Sequence, residues 1–275
     1  TDLFVVRGVS ASMWDTDTGA VVAGVYGGIQ YMARLPFQAV IAVTFVVFPL
    51  ISAATFHDDL NATRTYVRNT LRYSLIITVL LSALVAGNAA ELIAGMYGAD
   101  YASGVQPLQV LSVATIGYSL FYIATTMITG AGRPLVSAAI AFITLAVTAG
   151  SNYVVVDLLA QMSEGHQALM MRAAWATAGS MMLGFGLAAG YLIWKFRAGL
   201  PWKSLARVTL AGSVVAISSS LLCLPSETAR VVQLVGVAGK GLLGAAVFVG
   251  ILLALGEATP EDTARLQKVL KRSTS

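Results

Sequence analysis

A single arginine, Arg34, interrupts an otherwise uncharged stretch that extends from Gly19 to Phe56. Burying an arginine in a membrane span costs about 3 kcal/mol on insertion scales, so such a residue usually faces water or an ionic partner. Its planar guanidinium binds phosphate through two parallel hydrogen bonds. The uncharged run that follows is also long enough to span a bilayer alone, which would place Arg34 at the headgroups. The sequence leaves two interpretations open: a cationic ligand in a cavity, or an interfacial anchor.

Two further cations lie inside hydrophobic segments. Lys240 either faces a cavity or extends its ammonium group toward the headgroups. Arg7 follows Asp2, and a local ion pair is as good an interpretation as a substrate contact. Together with Arg34, these residues are the candidate substrate-binding side chains.

Three arginines, Arg64, Arg68 and Arg72, recur at every fourth position and therefore share one face of a helix. One interpretation places them at the cytoplasmic mouth of a cavity, where anionic headgroups enter. The other is an ordinary stripe of cytoplasmic positive charge, which membrane proteins commonly carry.

Composition defines the broad class of protein. Hydrophobic residues make up 57% of the 275 residues and charged residues only 11%, against about 25% in soluble domains. The lone Cys223 excludes an internal disulfide, and His57 and His166 have no neighbours spaced as metal ligands. We find no motif for covalent catalysis and expect neither an enzyme nor a bound cofactor or metal. The net charge of +4 fits membrane topology and does not require nucleic acid.

Hydropathy predicts an all-α bundle with seven membrane spans, after residues 1–10 as the end of a preceding span. The predicted spans are residues 19–54, 73–96, 106–130, 134–156, 169–194, 205–223 and 231–255. Twelve Lys and Arg residues fall on one side of this scheme and two on the other. The positive-inside rule makes the first side cytoplasmic, including the C-terminus.

The chain divides into a transmembrane part, residues 1–255, and a tail, residues 256–275. The tail is predicted to be an amphipathic cytoplasmic helix whose basic end rests on anionic headgroups. Pro36 and Pro49 are expected to bend the first span. Glycines spaced by four, at Gly24 with Gly28 and at Gly186 with Gly190, are typical of close helix packing.

Five segments of the chain occur in a recognisable order. They are DLFVVRGVS, GVYGGIQYMARLPFQAV, the run from LIAGMYGADY to GAGRP, ALMMRAAWATAGSMM and EATPEDTARLQKVL. In this order they resemble the C-terminal half of polysaccharide flippases in the multidrug/oligosaccharidyl-lipid/polysaccharide exporter superfamily. The similarity covers nearly the whole chain, although MRAAWAT replaces a version that begins with glycine.

The resemblance implies one lobe of a two-lobed transporter whose N-terminal lobe lies in the same protein or a second copy. The implied substrate is an oligosaccharide on polyprenyl pyrophosphate, moved across the cytoplasmic membrane for surface polysaccharide synthesis. Arg34-Leu35-Pro36 is similar to a family motif whose basic residue faces the cavity. Two alternatives stay open: a cation-coupled multidrug exporter of the same superfamily, and a non-transporting membrane assembly protein. Intramembrane carboxylates would favour the first, and paired or absent intramembrane charges the second.

Overall fold

The computed structural model describes residues 2–13, 16–57, 59–154, 165–197, 202–222 and 230–257. Within these ranges the chain forms ten α-helices and no strand. The helices are α1 Asp2–Met13, α2 Thr16–Ala33, α3 Leu35–Phe56, α4 Leu60–Gly87, α5 Ala89–Met96, α6 Val105–Gly130, α7 Pro134–Tyr153, α8 His166–Phe196, α9 Trp202–Leu221 and α10 Arg230–Ala254. A short 3₁₀ helix, Ala99–Gly104, leads into α6.

Seven helices of the described chain are long and apolar enough to cross a membrane. Their spans are Leu35–Phe56, Leu60–Gly87, Asp100–Gly130, Pro134–Tyr153, His166–Phe196, Trp202–Leu221 and Val235–Ala254. The predicted all-α class and the number of spans are confirmed. The tail helix was predicted for residues 256–275, and from residue 258 onward this prediction lies outside the described residues.

The first two predicted spans have wrong boundaries. The segment 19–54 is two helices that meet at Arg34, and of these only α3 qualifies as a span. Residues 60–70, predicted as part of a loop, are the first turns of α4, and α4 ends at Gly87 rather than near residue 96. Arginine is a good helix former, so a hydropathy minimum at Arg64 and Arg68 does not end a helix.

Local signals explain several helix ends. Asp59 caps α4 by accepting a hydrogen bond from the Ala62 amide at 2.9 Å. The turn between α6 and α7 contains Gly132 at φ +76°, a conformation that glycine adopts without strain, and Pro134 starts α7 where no amide donor is needed. Pro36 sits in the first turn of α3, and Pro49 lies inside that helix.

Helices α6 and α8 form the centre of the bundle, and three clusters of buried side chains surround them. The first cluster joins α1, α2 and α5 to the N-terminal halves of α6 and α8. The second joins α3 and α7 to their C-terminal halves, and the third joins α4, α9 and α10 to α6. The other helices therefore pack around α6 and α8, and these two helices determine their positions along the bundle axis.

Only one of the four glycines that the spacing indicated is closely packed: a Cβ on Gly28 would lie 3.3 Å from the rings of Tyr97 and Tyr101, and one on Gly24, Gly186 or Gly190 would meet no atom within 4 Å. Close approach between long helices depends on other glycines. A Cβ on Gly184 would lie 2.6 Å from Cγ2 of Thr144 on α7, and one on Gly212 would clash with Cγ1 of Val79 on α4. The four-residue spacing alone does not identify which glycines are in contact with a neighbouring helix.

Gly184→Ala is therefore expected to destabilise the protein by about 1–3 kcal/mol, the usual cost of overpacking. Thr144 has little freedom to move, since it is buried and its hydroxyl donates to the Ile140 carbonyl at 2.8 Å. Gly179→Ala on the same helix adds a methyl group in open space and should stabilise it by up to ~1 kcal/mol through helix propensity. Thermal unfolding of both variants in detergent measures the difference, and equal midpoints would contradict the packing of α7 on α8.

The orientation in the membrane stays a prediction with a direct test. In a Cys223→Ser background, Asn61→Cys is expected to react with an impermeant thiol reagent from the cytoplasmic side and Ala102→Cys from the outer side. Both positions are exposed and lie at opposite ends of the bundle. Labelling of residue 102 from the cytoplasmic side alone would overturn the orientation.

Candidate functional site

Arg34 lies at the junction between α2 and α3. Its amide still donates to the Gln30 carbonyl at 3.1 Å, which completes the last turn of α2. Pro36 has no amide hydrogen to donate to the preceding turn, so the two helices are separate elements at this point. The break leaves Arg34 exposed between two hydrophobic helices.

A cavity of about 310 Å³ opens beside Arg34. Residues of α2, α3, α6 and α8 form its wall, and hydrogen-bonding side chains are frequent among them. The polar members are Gln30, Arg34, Gln38, Thr115, Tyr118 and Thr177. The Thr115 hydroxyl donates to the Ala33 carbonyl at 2.7 Å, which fixes the end of α2 against α6. Phe37 contributes an aromatic wall, with its ring centroid 4.7 Å from that of Tyr118.

The cavity lies near mid-depth of the two longest spans. Thr115 is the middle residue of the span Asp100–Gly130, and Met181 is the middle residue of His166–Phe196. Each end of these spans is fifteen residues away, or roughly 22 Å along a helix. The backbone of Phe48 on α3 lies close to Gly130, the end of α6. The stretch of α3 from Arg34 to Phe48 and the stretch of α6 from Thr115 to Gly130 have nearly the same length, and both lead from the cavity toward the basic end of the bundle. The position midway along α6 and α8 supports the cavity interpretation of Arg34, whereas α3, which begins at the next residue and is a complete span by itself, is the arrangement that an interfacial anchor requires.

The charge of Arg34 is not neutralised by any carboxylate within the part of the chain that the structure describes. Salt bridges in those residues involve Arg72, Arg207 and Lys240 instead. A guanidinium in an exposed cavity, without an anionic partner and beside amide and hydroxyl groups, is suited to bind an anion.

Lys240 is placed differently from Arg34. Its ammonium donates to the Glu91 carboxylate on α5 at 2.7 Å, and the two side chains are only 8% and 13% exposed. Hydropathy gives no indication of this partner, because Glu91 lies 149 residues from Lys240 in sequence. The ion pair compensates the charge of Lys240. The role of Lys240 as a substrate ligand stays a prediction, and this geometry does not favour it.

The other predicted cations do not converge on the cavity. Arg7 is exposed on α1. Of the three arginines on α4, Arg64 donates from Nε to the Phe196 carbonyl at 2.8 Å, and Arg68 is exposed. Arg72 forms an ion pair with Glu257. The three share a helix face as predicted, yet two of them bind other parts of the protein.

Glu257 joins three helices at the basic end of the bundle, a role that its position in the sequence does not indicate. Its carboxylate accepts from Arg72 Nε at 2.8 Å and lies 3.3 Å from an Arg207 guanidinium nitrogen. Burial acts to raise the pKa of Glu257, but hydrogen bonds from Ser204, Arg72 and Arg207 outweigh it and lower the pKa. The carboxylate therefore stays charged at neutral pH and holds the end of α10 against α4 and α9.

A larger cavity of about 710 Å³ lies at the end of the bundle opposite the basic residues. It contains Asp100, Gln106 and His166 beside apolar residues of α2 and α8. Buried Ala173 and Ala174 of α8 lie along the chain between this cavity and Thr177. Across the described residues, no group of three His, Cys, Asp or Glu side chains is arranged to hold a metal ion.

These features define a polytopic helical membrane protein with a cationic cavity at mid-depth. No protein-family model matches the chain, and a search of the curated proteins finds no significant match.

Proposed function

We propose that this chain forms one lobe of a flippase that moves oligosaccharide linked to polyprenyl pyrophosphate across the cytoplasmic membrane. The observation that supports it most is the position of Arg34, exposed in a mid-depth cavity without a neutralising carboxylate among the described residues. The particular substrate is the one that the sequence resemblance implies. The cavity contains a cation and polar side chains of the kind that such a substrate needs for binding.

The cavity provides a complementary group for each part of the headgroup. The guanidinium of Arg34 is matched to pyrophosphate oxygens, which accept two parallel hydrogen bonds. Gln38, which is exposed in the cavity wall, offers an amide donor and acceptor of the kind that sugar hydroxyls use. Because the cavity is small, we expect it to hold the pyrophosphate and the first sugar, with the second lobe forming the opposite wall.

Charge distinguishes this proposal from its alternatives. A multidrug exporter needs an intramembrane carboxylate to bind a cationic drug or a coupling ion. Glu91, the acidic residue beside Lys240, is already engaged in an ion pair, and Asp100 lies in the cavity at the end of the bundle. The Lys240–Glu91 pair is what an assembly protein would also contain, whereas a cavity arginine with no carboxylate partner among the described residues is better explained by an anionic substrate.

Binding measurements on the purified intact protein test the proposal. We expect polyprenyl-pyrophosphate oligosaccharide to bind at least tenfold more tightly than the same glycan on an uncharged polyprenyl carrier. Inorganic pyrophosphate should compete with it, and a lipophilic cation should not. Equal affinity for the charged and uncharged carriers, or competition by the cation alone, would contradict a pyrophosphate-binding cavity.

A further inference from the structure

An apolar groove separates α8 from α9 on the surface of the bundle. It encloses about 470 Å³, and its walls belong to α8 and α9 while α4 and α6 form its floor. The lining residues are apolar without exception: Leu71, Leu75, Leu120, Phe185, Ile193 and Leu205 are typical of them.

The groove exists because three of the six α8 residues that line it have a small side chain or none. Gly186, Ala189 and Gly190 share the face, and a Cβ added to either glycine would enter open space. Gly184, two residues earlier, packs tightly against α7 instead. The glycines that the sequence suggested as a helix-packing motif therefore border an open apolar groove.

The groove has the capacity of one lipid chain. A methylene group takes up roughly the 30 Å³ of a water molecule, so the enclosed volume corresponds to about 15 of them. The lining residues of α8 extend from Met182 to Ile193, a length of about 17 Å along the helix.

Charge at one end of the groove indicates the headgroup. Lys195 and Arg197 follow Ile193 closely along the chain, and Lys203 comes directly after Trp202. All three cations are exposed. Trp194 and Trp202 are also exposed, at 75% and 65%, as is typical of aromatic residues at a membrane interface. The end of the groove thus combines cations with interfacial aromatic rings.

We propose that this groove binds an anionic glycerophospholipid, with one acyl chain between α8 and α9 and the phosphate beside Arg197 and Lys203. The lipid covers apolar surface that no side chain of the described residues fills. Arg34 and its cavity take no part in this site, so the proposal does not depend on the transported substrate.

Native mass spectrometry of the purified protein with phosphatidylglycerol or phosphatidylcholine tests the proposal. The unmodified protein should retain one phosphatidylglycerol at least tenfold more than phosphatidylcholine. Gly186→Leu combined with Gly190→Leu fills the groove and should reduce retention at least tenfold. Gly179→Leu adds the same side chain to an exposed position of α8 outside the groove and should leave retention unchanged.

Surface variants keep the test independent of folding. Arg197→Glu with Lys203→Glu changes only exposed side chains and should abolish the preference for phosphatidylglycerol. Three results would overturn the proposal: no headgroup preference in the unmodified protein, equal retention by the groove-filled and Gly179→Leu variants, or conversion of a dimer to a monomer by groove filling. The last result would assign the groove to a second copy of the chain.

Discussion

Arg34→Ala is expected to abolish surface-polysaccharide export by the intact protein while its abundance in the membrane stays normal. The alanine leaves the cavity without a cation for pyrophosphate, and the side chain lost is exposed and makes no ion pair with a described residue. Complementation of a strain that lacks the transporter measures export, and an immunoblot of the membrane fraction measures abundance.

Other substitutions at the same position separate charge from geometry. Arg34→Lys should restore export only in part, because lysine keeps the charge but lacks the planar pair of donors. Arg34→Glu should also abolish export and should bind the substrate more weakly than Arg34→Ala does, because it places like charge against the substrate. Arg133→Glu is the matched control: Arg133 is also exposed, but it lies in the turn before α7, and its replacement should leave export near normal. Normal export by Arg34→Glu would leave Arg34 as an interfacial anchor only.

Glu91→Gln is expected to destabilise the protein by ~3–5 kcal/mol, the usual cost of removing one partner of a buried ion pair. The ammonium of Lys240 would lose the carboxylate that contacts it at 2.7 Å. The Lys240 side chain is only 8% exposed, so its charge would stay buried without a partner at that site. Thermal unfolding in detergent, followed by the loss of monodisperse protein, measures the change.

The double variant shows whether the pair itself is the cause. Glu91→Leu with Lys240→Met removes both charges and should recover most of the lost stability, since apolar residues of similar volume replace a buried pair at little cost. Asp100→Asn, a charge removal at an exposed position, should change stability by about 0.5 kcal/mol or less. A double variant as unstable as Glu91→Gln would contradict the pairing of α5 with α10.

Hydropathy predicted the all-α class and the seven spans because long apolar runs have few other solutions in a bilayer. It failed where the chemistry of a helix end decides the outcome. Asp59 starts α4 thirteen residues before the predicted span, and Pro36 divides the predicted first span at Arg34. Neither residue changes the mean hydropathy of a long window appreciably, so such a window does not detect these ends.

The candidate site was predictable in part, from charge in an apolar context. That rule found Arg34 and Lys240, but it contains no information on partners. The Lys240–Glu91 pair joins residues 149 apart in sequence, and Glu257 meets Arg72 across 185. Both contacts require the packing of α10, which no local pattern specifies. The role of Gly184 was missed for the same reason, since only its distance to Thr144 distinguishes it from Gly186.

The most direct test of a water-filled, pyrophosphate-binding cavity at mid-depth uses Gln38→Cys in a Cys223→Ser background. Gln38 is exposed and lines the cavity beside Arg34. Trp175→Cys is the matched control, because Trp175 is 62% exposed and near the same depth but about 200° around α8 from Thr177. We expect an impermeant thiol reagent to modify residue 38 rapidly and residue 175 slowly, with polyprenyl-pyrophosphate oligosaccharide protecting residue 38. Equal modification of both residues, or no protection by the substrate, would contradict the cavity and its anionic ligand.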